Sequence, residues 1–113
     1  KKENSDFDLP LEDHTGDQTY LKALKNHLPR LVDAFEPDFI FYLAGVDVLK
    51  TDKLGRLGLS TEGCKARDRF VLTFCKRHNI PVQVSMGGGY SVHLKDIIEA
   101  HSNTFELAQD LFF

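Results

Sequence analysis

Tryptophan is absent from this 113-residue chain, methionine occurs once, and cysteine only twice. No apolar run approaches the roughly 18 residues of a bilayer-spanning helix, so the sequence offers no candidate span. No lysine–arginine cluster is present and the formal net charge is −3. That balance argues against a surface built for nucleic acid or an anionic membrane. CxxC spacing is absent. Cys64 and Cys75 fall eleven apart within one helical pattern, about 16 Å along its axis, too far for a disulfide. They read as small buried apolar residues of a reducing, cytoplasmic compartment. Lys1 to Ser5 is followed by no apolar core of a signal peptide, and residue 1 is not Met. Both points read as a processed or excised piece without a secretory leader. His14, His27, His78, His93 and His101 are scattered, with no His-His and no Asp-x-His, and none is assigned to a metal.

What is present is ordinary for a folded domain: 42% hydrophobic and 27% charged residues, enough to build one core. The order reads β-α-β-α-β-α. Asn4 to Leu9 is expected to be a short strand ended by Pro10. Thr15 or Asp17 is expected to cap a helix carrying Tyr20, Leu21, Leu24 and Leu28, which Pro29 should kink or break. Phe39 to Leu43 is a continuous apolar run, the mark of a strand covered on both faces. Ser60-Thr61-Glu62 opens a second helix with Cys64, Phe70, Val71, Phe74 and Cys75 as its buried stripe. Basic residues from Lys76 to His78 sit in its last turn, where the dipole favours them. Pro81 to Met86 is the third strand and Val92 to Leu111 the last helix. Helices following strands imply parallel pairing with right-handed crossovers. The fold expected is therefore α/β, a three-stranded parallel sheet with two open edges, which reads as a portion of a larger sheet and invites self-association.

Two segments end apolar strands on polar side chains. Residues 42–47 finish on Asp47, and residues 86–90 on Tyr90 after three glycines. In an open α/β sheet, ligands bind beyond the carboxyl ends of the strands. Asp47 is either a turn aspartate satisfying backbone N–H groups or a metal-binding carboxylate. The glycines either make a tight turn or let a ligand approach the backbone. A phosphate cradle is disfavoured by the lack of GxGxxG and of a Walker lysine. Tyr90 either packs or donates a hydrogen bond to a developing oxyanion.

Together these segments resemble the C-terminal part of the histone deacetylase superfamily, in particular the bacterial, class IV-like enzymes and deacetylase-like amidohydrolases. The run from Phe7 to Leu11, then Gly16-Asp17 and Tyr20-Leu21, is similar to the family's strand–loop–helix pattern. Phe35 to Ile40 is similar to its entry into a strand. Ala44 to Asp47 with Asp52 and Leu54-Gly55 resembles its AGxD signature, and Gly87 to Tyr90 its glycine–tyrosine turn. The resemblance spans about residues 6 to 112. It implies an arginase-like three-layer α/β sheet and a zinc amidohydrolase acting on acetylated lysine or polyamine. Asp47 matches the later aspartate ligand of the zinc, and Tyr90 the tyrosine that bonds the scissile acetyl oxygen. Gly88, Gly89 and Leu54 match the substrate tunnel.

The chain departs from that pattern by lacking Asp-x-His and His-His, which in the family lie upstream. One aspartate does not make a zinc centre. The expectation is a C-terminal segment of a deacetylase domain over residues 1–113, inactive by itself, with zinc held only in the intact enzyme. The competing expectation is a truncated, non-catalytic interaction module of the same fold. An unrelated receiver-like or nucleotide-binding α/β domain is a third.

Overall fold

The computed structural model describes residues 6–46, 49–50, 57–85 and 94–112, with the backbone alone over 94–100. The elements run α1 (Asp17–Phe35), β1 (Ile40–Leu43), α2 (Thr61–Arg77), β2 (Val82–Ser85) and α3 (Leu94–Phe112). β1 and β2 pair in parallel with Ile40 opposite Val82 and Leu43 opposite Ser85, and α2 is the crossover between them. The parallel α/β character expected from the sequence is thus present, with two strands among the described residues.

The third strand expected near the N-terminus is not formed over residues 6–9. Phe7 instead lays its ring against His27 of α1, with centroids 5.0 Å apart, and beside Leu24 and Leu28. The segment finds apolar cover on a helix, so its alternation did not require a strand partner.

At α1, Pro29 does not break the helix, which runs on through Phe35. Neither Thr15 nor Asp17 caps it; Gly16 holds the N-cap position with no side-chain bond. α2 begins as its sequence predicts, with the Ser60 hydroxyl accepting from the Gly63 N–H at 3.0 Å, a one-residue satisfaction of an orphan donor. Asp17 reaches across to this start and accepts from the Ser60 N–H at 2.9 Å and from the Ser60 hydroxyl. A Cβ on Gly63 would lie 1.9 Å from Asp17 Oδ1, so glycine is what lets the two helix starts close on each other.

The core gathers Ala44, Val46, Leu49 and Leu59 beside Cys64, Val71, Leu72 and Cys75 of α2. Both cysteines are free and buried, and burial pushes the Cys64 thiol up to about 11, so it rests as a neutral apolar filler. α3 and α1 both pack on α2.

β1 is not covered on both faces as its apolar run predicts. Tyr42 turns toward α2, whereas Phe41 and Leu43 are 70% and 77% exposed. Phe39 and Phe41 meet on that outer face as a tilted pair with ring centroids 5.0 Å apart. Parallel sheets are stable when both faces are covered, so this face should drive association in water. The chain should sediment as oligomers at micromolar concentration, and the double variant Phe41→Lys, Leu43→Gln should move it toward monomer at unchanged helix content. A wild-type chain that sediments as a monomer with a sharp, high-temperature transition would contradict this.

Candidate functional site

The carboxyl end of β1 is anchored by a buried polar cluster. Alternation along the strand points Tyr42 inward, and its phenol donates to Asp68 Oδ1 of α2. The neighbouring Arg67 donates through Nε to the same oxygen at 3.0 Å. Its Nη2 lies 2.9 Å from that oxygen, off the hydrogen-bond direction. Thr104 of α3 donates to Asp68 Oδ2. Arg67 Nη1 then donates to the carbonyl of Gly45, 2.7 Å away, where the chain leaves β1. Arg67 and Asp68 are 3% and 0% exposed, and the Arg67 guanidinium stands 5.7 Å from the centre of the Tyr42 ring.

Burial pushes the Tyr42 phenol well above the ordinary tyrosine range, with Asp68 adding to the shift against the opposing pull of Arg67. It therefore stays protonated and serves as a donor. Tyr20 of α1 shares this environment, and burial raises its phenol too. His101, one turn before Thr104, is half-buried. Desolvation and then Arg67 lower its pKa, and its Nδ1 is buried without a partner.

The two strand ends lie side by side. The Ala44 N–H donates to the Ser85 carbonyl at 2.7 Å, continuing the β1–β2 register past Leu43. Asp47 follows Ala44 by three residues, and Tyr90 follows Ser85 by five. The segments that carry them thus depart from adjacent points at the carboxyl edge of the sheet, where α/β folds bind ligands. Asp47, Leu54, Gly88, Gly89 and Tyr90 themselves lie outside the described residues. Among the described residues no group of three or more His, Cys, Asp or Glu could hold a metal.

Sequence reasoning missed the Arg67–Asp68 pair because charged residues on a helix read as solvated. The signal was there in the spacing. Cys64, Arg67-Asp68, Val71-Leu72 and Cys75 recur at three- and four-residue intervals, so the charged pair occupies the apolar stripe itself.

A parallel sheet with a helical crossover, and two motif-bearing segments following adjacent strand ends, defines an α/β protein. The histone deacetylase domain model matches residues 1–105. The chain belongs to the histone deacetylase family. An uncharacterized protein of Picosynechococcus sp. is 38% identical over 112 residues, 99% of this chain and 37% of that protein. Histone deacetylase B of Dictyostelium discoideum is 37% identical over 84 residues, 74% of this chain and 19% of that protein. The crystal structure of the HDA15 HD domain superposes with a TM-score of 0.70 at 24% identity, over 86% of this chain and 27% of that one; at that identity the match shows the fold. The chain thus spans between a fifth and two-fifths of these proteins.

Proposed function

We propose that these 113 residues form the C-terminal segment of a deacetylase domain that hydrolyses an acetyl-amide, on acetylated lysine or an acetylated polyamine. The observation that supports this best is the adjacency of the two strand ends, because it brings the departure points of the AGxD and glycine–tyrosine segments together. In this reading Asp47 contributes one carboxylate to a zinc ion whose other donors come from polypeptide outside this segment. Gly88, Gly89 and Leu54 line the acyl-lysine channel. Tyr90 donates its phenolic hydrogen to the acetyl oxygen as negative charge develops there, an interaction that strengthens in the transition state. In this reading the chain supplies one metal donor, the lining of the channel and the oxyanion donor. The family match and the zinc-amidohydrolase resemblance together support the choice of reaction, and the reading places it in the cytoplasm.

The isolated chain should give no turnover of an acetyl-lysine reporter above a no-enzyme control, and should lose zinc on dialysis. A chimera in which it replaces the matching 37% of the Picosynechococcus protein should hydrolyse the reporter in a chelator-sensitive way. Chelator-sensitive turnover by the isolated chain, or a silent folded chimera beside an active parent, would overturn the reading. The outward apolar face of β1 favours one competing reading, a non-catalytic interaction module, and a silent chimera would turn the balance toward it.

A further inference from the structure

An open groove of about 360 Å³ runs between α1 and α2 on the side of α2 away from the buried ion pair. Its floor is apolar, formed by Phe70 and Phe74. Its rim carries three cations, Lys25 from α1 and Arg69 and Arg77 from α2, with His78 of the C-terminal cap beside them. Among the described residues no acidic side chain lines it. Lys25, Arg69 and Arg77 are exposed, and the buried ion pair of the described residues is made by Arg67 and not by them. In a chain of formal net charge −3, three cations gathered around two aromatic rings make a local field opposite in sign to that of the whole molecule.

We infer that this groove is a docking site for an acidic peptide segment with an apolar anchor. Charge complementarity requires an anion, since every rim charge is positive. Arg69 and Arg77 are eight residues apart, about 12 Å along the helix. A ligand that satisfies both must therefore be extended. Two carboxylates four residues apart in an extended strand span about 13 Å and match that distance. A nucleic-acid strand fits less well. Base recognition without sequence readout needs an open aromatic face, whereas Phe74 is stacked on His78 at 4.1 Å and lies against Phe70 at 6.1 Å. His78 is held in that stack by its bond from Nδ1 to the Phe74 carbonyl, 2.9 Å. An aliphatic or aromatic peptide side chain, by contrast, can rest on the Phe70 edge while its flanking carboxylates meet the guanidinium groups.

Fluorescence anisotropy on the full chain tests this with a labelled peptide carrying two glutamates four residues apart around a Leu-Phe pair. It should bind, and the same peptide with glutamines should bind about tenfold more weakly. The double variant Arg69→Glu, Arg77→Glu should lose the glutamate peptide and gain a lysine version of it. Arg69→Gln, Arg77→Gln should lose the first without gaining the second, and serves in place of the reversal should that variant fail to melt like the wild type. Equal binding of the glutamate and glutamine peptides, no binding of either, or displacement of the peptide by substoichiometric poly(U) or inorganic polyphosphate would overturn the proposal.

Discussion

Asp68→Ala should unfold this chain at room temperature. The carboxylate is fully buried and holds Arg67, Tyr42 and Thr104 at once. Truncation leaves a guanidinium of 3% exposure with no counter-charge, a change that costs about 3–5 kcal/mol when one partner of a buried pair is removed. The Tyr42 phenol loses its acceptor as well, at about 1–3 kcal/mol for a buried group left unpaired. Domains of this size hold only about 5–15 kcal/mol in total, and this one leaves a sheet face uncovered. Asp68→Asn keeps the shape and an acceptor oxygen but discards the charge, and should be intermediate. Arg67→Met with Asp68→Leu removes the charge mismatch yet takes away the acceptor of the Tyr42 phenol and the donor to the Gly45 carbonyl, so it should recover part of the loss. Urea titration followed by circular dichroism measures all three. An Asp68→Ala chain within about 1 kcal/mol of the wild type would mean that water reaches the cluster and that it is not the keystone described.

Asp47→Ala and Tyr90→Phe should fail in different ways in a complete domain carrying this segment. Loss of the Asp47 carboxylate removes a metal donor, so zinc content and activity should fall together, and added zinc should restore part of both. Tyr90→Phe keeps the ring and removes only the hydroxyl. Zinc should stay bound, KM should change little, and kcat should drop about 10²–10³-fold, as expected for one donor that acts mainly in the transition state. Atomic absorption beside steady-state kinetics separates the two. Near wild-type kcat in Tyr90→Phe would make the phenol a packing residue after a glycine turn.

The sequence displayed the elements better than it displayed their surroundings. The start of α2 at Ser60, the parallel pairing of residues 40–43 with 82–85 and the burial of both cysteines follow from caps, crossovers and spacing. Periodicity cannot say which neighbour satisfies an apolar face. It therefore assigned Phe7 to a strand when a helix was the partner, and gave β1 two covered faces when the described residues cover one. Asp17 looked like a local cap because caps act within a few residues. Its real partner, Ser60, is 43 residues away, and only the tertiary approach of Gly63 brings it near. The Arg67–Asp68 pair was obscured by composition and visible only in phase. The proposed catalytic positions were legible as motifs, and what the fold adds is the neighbourhood of the strand ends that launch them.

The branching of the Asp68 carboxylate has a consequence for how the chain comes apart. One oxygen serves β1 and the adjacent arginine, the other serves α3, and the arginine carries the link on to the turn after β1. Strand, crossover helix and terminal helix therefore share one polar fastening in addition to their apolar packing. They should behave as one foldon, whose opening exposes every member together. The far half of α1 has no polar tie to that fastening and ends on an exposed Phe35, so it can detach while the rest stays closed. A partner that peels α1 away would widen the cationic groove and still leave the strand ends in register.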